Sequence, residues 1–117
     1  MRLVDLDPHF LRYEPSDGRV FHRFVDSLAE AQGIEFLCPK CFVTNGGSAG
    51  THHVICWSRS RGVPEDATPG PGRWKMEGTG LADLTLNGDA PGGGGARSVL
   101  LLGGCEWHGF VTNGAVT

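Results

Sequence analysis

Cys38-Pro39-Lys40-Cys41-Phe42-Val43-Thr44-Asn45-Gly46 and Cys105-Glu106-Trp107-His108-Gly109-Phe110-Val111-Thr112-Asn113-Gly114 are two renderings of one pattern. Each copy carries two metal-ligand side chains with two residues between them, then an apolar pair and an Asn-Gly turn. Cys-x-x-Cys and Cys-x-x-His are the two halves of a tetrahedral Cys3His zinc site, a composition common among closed structural sites. The expected ligands of one structural Zn2+ are therefore Cys38, Cys41, Cys105 and His108. Iron shares the preference for sulfur, but a single histidine and the lack of a further cysteine pair point to zinc.

Most of the chain between the two halves reads as short strands. Nineteen glycines, many in breaks such as Gly46-Gly47, Gly70-Pro71-Gly72 and Gly103-Gly104, divide it into short segments joined by turns. The expected fold is mainly β, a small antiparallel α+β domain over residues 1–117 with no dividing linker. Strands are expected near 10–13, 34–37, 52–58, 73–77 and 81–86, with extended chain following a turn at 15–18. The run 98–102 is nearly all apolar and reads as the central buried strand. Ser27 and Glu30 stand as a capping box and predict a short helix over 27–32, stopped by Gly33. Residues 58–72 and 87–96 read as loops, and Asn113-Gly114 as the turn of a closing hairpin. An ion bound by both halves would close a long loop and contribute directly to folding.

Charge and patterning narrow the functional classes. The formal net charge is −3 with a pI near 5.9, which argues against a nucleic-acid binder. No apolar run approaches the ~20 residues of a membrane-spanning helix. The acids in Met1-Arg2-Leu3-Val4-Asp5-Leu6-Asp7 break any signal-peptide core, so a cytoplasmic setting is expected, in which cysteines serve metals rather than disulfides.

The remaining reactive residues have modest expected roles. Cys56, between Ile55 and Trp57, reads as a small core hydrophobe. On an extended strand His52 and His53 face opposite ways, and His52 and Cys56 would lie ~13 Å apart at ~3.3 Å per residue. Both histidines are expected at the surface or orienting a ligand. Glu106, inside the second pair, would be a general base only if the metal kept an open position for water, which four protein ligands do not leave. His52, His53 and Glu106 are the candidates of an alternative zinc-hydrolase reading. Arg59, Arg61, Arg73 and Lys75, around Trp57 and Trp74, form the only local basic patch and carry a second alternative, nucleic-acid binding.

As an ordered set, these motifs resemble a known family. Cys38-x-x-Cys41, His52-x-Val54-Ile55-Cys56-Trp57, Pro71-Gly72-Arg73-Trp74 and Gly103-Gly104-Cys105-x-x-His108-Gly109-Phe110 are similar to a family of small phage and prophage proteins, the domain of unknown function numbered 6527. The likeness runs from Asp7-Pro8-His9-Phe10 to the last Asn-Gly. It implies a phage context, in the host cytoplasm or the virion, and a metal site at Cys38, Cys41, Cys105 and His108, with no established activity. Some phage members carry an ammonia monooxygenase name. That chemistry requires a redox metal centre within a membrane protein, which this sequence does not support. The expected function is non-enzymatic: a zinc-stabilised binding or structural protein presenting a rigid surface to a phage structural protein or a host factor.

Overall fold

The computed structural model describes the backbone of residues 1–16, 19–90, 97–101 and 103–117 and, within these, the side chains outside 15–21. The expected turn at Asp17-Gly18 and the glycine run 92–95 lie outside the described residues.

The N-terminal half forms a four-stranded antiparallel sheet in the order β2-β1-β3-β4. Strand β1 (His9–Ser16) and strand β2 (Arg19–Val25) form a long hairpin, with Phe10 opposite Val25 and Ser16 opposite Arg19. Strand β3 (Gly33–Leu37) is buried at every position, as a strand covered on both faces must be. Strand β4 (His53–Trp57) pairs with it through Gly33 opposite Trp57 and Leu37 opposite His53. Gly33 is required where it stands, because a Cβ there would meet Trp57 Cε3 at 2.5 Å.

Alternation sends Phe10, Ile34, Phe36, Val54 and Cys56 into the main core. Leu11 and Trp57 face the other side and pack with Val63 and Ala67 in a second cluster. The rest of the chain is built from two-stranded ribbons. Strands β5 (Trp74–Glu77) and β6 (Thr85–Gly88) pair, as do β7 (Val99–Leu100) with β8 (His108–Gly109) and β9 (Val111–Thr112) with β10 (Ala115–Val116). The domain is mostly β with small antiparallel sheets, as the segment pattern predicts.

Two local expectations are corrected. Residues 27–32 form a hydrogen-bonded turn rather than a helix. Ser27 Oγ and Glu30 Oε1 do meet at 3.0 Å, but Arg61 Nη1 donates to the Leu28 and Ala31 carbonyls and β3 begins directly at Gly33. Those acceptors are held by a side chain, and the segment is too short to propagate a helical nucleus. The helix is instead α1 (Pro39–Asn45), with proline at its first position and Gly46 closing it at φ 70°. The run 98–102 is not the central strand. β7 pairs with β8 alone, with Val99 buried and Leu100 51% exposed, because a ribbon strand has one face on the core and one in water. Leu102 lies outside the described residues.

The C-terminal ribbon turns through Asn113 (φ 48°) and Gly114 (φ 75°), the left-handed pair that an Asn-Gly hairpin requires. The backbone of Gly114 also bridges distant segments, donating to the Leu84 carbonyl and accepting from Leu3 N–H. A Cβ at Gly114 would collide with the Ala82 carbonyl. Gly114→Ala is expected to lower stability by about 2–4 kcal/mol, from left-handed strain plus overpacking. Urea denaturation of the two proteins measures the difference, and an unchanged midpoint would count against this packing.

Candidate metal centre

Three separate segments converge on one point. Cys38 caps the start of α1 and Cys41 lies within its first turn. His52 immediately precedes β4, and Cys105 lies in the turn between β7 and β8. One donor atom from each of Cys38, Cys41, His52 and Cys105 lies within 4.8 Å of the others, close enough to bind a metal ion. Cys38 Sγ is 3.5 Å from Cys105 Sγ, and His52 Nε2 is 3.3 Å from the same sulfur. A tetrahedron with ~2.3 Å metal–sulfur bonds has sulfur–sulfur edges of about 3.8 Å, so the donor set matches a Cys3His site in chemistry and in size.

The sheet fixes two of these donors. Cys38 N–H donates to the His52 carbonyl at 2.9 Å, which continues the β3–β4 ladder one step beyond the strands. The loop between them is pinned by Thr51 Oγ1, which donates to the Gly47 carbonyl and accepts from Asn45 Nδ2. The His52 ring turns its Nδ1 toward the His53 carbonyl at 3.4 Å. Donation to Cys105 uses Nε2–H in the metal-free cluster, and a shift of that proton to Nδ1 would free the Nε2 lone pair for an ion. Lys40 Nζ donates to the Cys105 carbonyl at 2.7 Å and ties the far segment to α1.

The three thiols have unequal acidities. Burial, with the neighbouring Cys105 sulfur, pushes Cys38 up to about 11 and Cys41 above its ordinary value. Cys105 is also opposed by burial. Even so, hydrogen bonds from the His52 ring, the Trp107 backbone and the two other cysteines bring it down to about 6. One sulfur is thus ionised and two donate to it, the state expected of a thiolate cluster before an ion replaces the protons.

The predicted ligands divide. Cys38, Cys41 and Cys105 come together, whereas His108 does not join them. Gly104 (φ 62°) and Glu106 (φ 56°) turn the chain sharply after β7, so His108 leaves on β8 with an exposed ring stacked on Phe110 at 6.4 Å. His52 takes the place expected of His108. The signal was the register of a β3–β4 hairpin, which sets Cys38 directly opposite His52.

The other singled-out residues have structural surroundings. Glu106 is exposed and outside the donor group, and His53 is exposed on β4. Cys56 is 1% exposed, and burial alone drives its thiol far up. Trp57, Trp74 and Trp107 are all buried, the last set edge-on to Phe36. The basic patch is dispersed. Arg73 is buried and donates to five backbone carbonyls, Arg61 binds those of Leu28, Ala31 and Met76, and Arg59 pairs with Glu65.

Beside the donor group opens a cleft of about 660 Å³, within the range of ligand-binding cavities. Cys41, His52 and Cys105 form one end of it, and Val54, Trp74 and Leu100 part of its walls. Among the described residues no helix is long and apolar enough to cross a membrane. No family model, curated protein or solved structure matches this chain.

Proposed function

We propose that Cys38, Cys41, His52 and Cys105 hold one zinc ion as a closed structural site, and that the domain it secures is a non-enzymatic binding module. The observation that carries this reading is the convergence of four soft donors from three segments within 4.8 Å. Three thiolates and an imidazole complete a tetrahedron and leave no position for a reacting water. The ion would tie the four-stranded sheet to the C-terminal ribbons. The dispersal of the arginines supports a protein partner over nucleic acid, and the family resemblance suggests a phage-encoded role in the virion or against a host factor.

Metal analysis with X-ray absorption at the zinc edge tests the site, the expected result being one zinc with three sulfurs and one nitrogen. An oxygen in place of any of these would favour the hydrolase reading. A pair of variants separates the histidines. His52→Ala is expected to weaken zinc binding at least tenfold and His108→Ala to leave it unchanged, by competition with a chromogenic chelator. The opposite order would remove His52 from the site.

A further inference from the structure

Among the described residues the β4 edge of the main sheet is unpaired, and His53, Val54 and Ile55 form a wall of the cleft. The ladder shows which backbone groups point there. Cys38 N–H bonds the His52 carbonyl and Ser58 N–H bonds the Gln32 carbonyl, so the even-numbered residues of β4 face β3. Alternation then turns the backbone N–H and C=O of His53, Ile55 and Trp57 away from β3, toward the open edge. Among the described residues no strand pairs with that edge, and none of these three residues takes part in a backbone–backbone bond elsewhere. His53, Val54 and Ile55 line the cleft, and β7 with Leu100 lines it as well.

The two edges of this sheet are treated differently. The described part of β2 carries exposed Arg23 and His22, side chains that discourage strand addition. The β4 edge has no lysine, arginine, aspartate, glutamate or proline from His53 to Trp57. Among the described residues none of those charged types lines the cleft either, so a charged side chain placed there would lose water without gaining a partner.

We infer that the cleft is a β-augmentation site: it takes an extended segment of a partner protein, added antiparallel or parallel to β4, with uncharged apolar side chains directed into the cleft. The segment's backbone bonds His53 and Ile55, the outward-facing β4 residues that line the cleft, and the cleft reads its alternate side chains. Two outward-facing residues match a stretch of about three partner residues. This inference rests on the binding-module reading and names its partner class. It does not depend on which metal fills the donor group.

The test begins with a randomised nonapeptide display library panned on the metal-loaded protein, followed by synthesis of the enriched peptide. Amide hydrogen exchange is expected to slow at His53 and Ile55 on binding, while an N-methyl scan along the peptide weakens binding at every second position. Ile55→Pro removes one outward N–H without touching the β3 ladder, and is expected to keep one metal per chain and lose at least tenfold in affinity. Val54→Pro, which breaks that ladder, serves as the control for damage to the sheet. If Ile55→Pro does not fold, the N-methyl scan on the unaltered protein decides alone.

Equal binding at all N-methyl positions, no enriched peptide, or protection elsewhere than β4 would overturn the inference. So would a dimer in sedimentation that protects β4 without peptide, since the occupant would then be a second copy. Metal content measured on the same samples keeps this outcome separate from failure of the zinc site.

Discussion

Stripping a zinc-loaded preparation with a strong chelator is expected to unfold the domain. Structural zinc in small domains binds with an apparent free energy of about 10 kcal/mol or more, comparable with the whole stability of a domain this size. Near-ultraviolet circular dichroism would lose its tertiary signal, and the buried tryptophans would shift their emission to the red. Retention of both signals in excess chelator would show that the sheet and ribbons stand without the ion.

The thiol acidities add a sign and a count to that result. In the folded metal-free chain at pH 7, Cys105 is ionised while Cys38 and Cys41 keep their protons. Loading this state releases about two protons per ion, whereas loading an unfolded chain with ordinary thiols releases about three. Titration calorimetry in two buffers of different ionisation enthalpy distinguishes them. Because the ligands must be deprotonated, zinc affinity falls as pH drops. Just above the Cys105 value of about 6 the fall is about two log units per pH unit if the metal-free chain stays folded, and about three if it unfolds.

The second large effect is expected at Arg73. Its guanidinium donates to the carbonyls of Pro64, Glu65, Ala67, Pro69 and Gly72, holding the 64–72 loop around a single buried cation. Its Nε alone has no acceptor among the described residues. Arg73→Met preserves length and apolar packing but strands those carbonyls. With the buried Ala67 carbonyl left dry and the others turning to water, the loss is about 1–3 kcal/mol. Arg73→Lys is not expected to rescue it, since one ammonium cannot span five acceptors. Urea midpoints and proteolysis within 64–72 measure both variants, and wild-type behaviour of Arg73→Met would refute the account. Pro69–Gly72 also line the cleft, so peptide binding should weaken in parallel.

Much of the sheet was legible because β3, β4 and the Phe10-Leu11 pair of β1 are apolar and stand near strong breakers, and short strands need little else. The Asn113-Gly114 hairpin was legible because its conformation admits few residue types. The helix was misplaced for an instructive reason. Ser27 and Glu30 form their side-chain contact, yet Arg61, far along the chain, takes the carbonyls. Pro39 and Gly46 bracket a true helix whose signals were hidden by reading Cys38–Cys41 only as a knuckle. The run 98–102 misled because apolar content alone does not say how many neighbours a strand has. Three of the four donors followed from Cys-x-x-Cys and the lone late cysteine. The fourth did not, because whether His52 or His108 meets the sulfurs depends on strand register and on two positive-φ residues.

The order of the donors along the chain also bears on how the protein is made. Cys38, Cys41 and His52 leave the ribosome together on a hairpin able to pair at once, while Cys105 is 53 residues behind His52. At cellular translation speeds that interval is about 3–10 s. A metal ion bound during it would have three donors from this chain and a fourth place open to exogenous thiols or water. If an ion is taken up in that interval, synthesis would pass through an open metal site that the arrival of Cys105 closes.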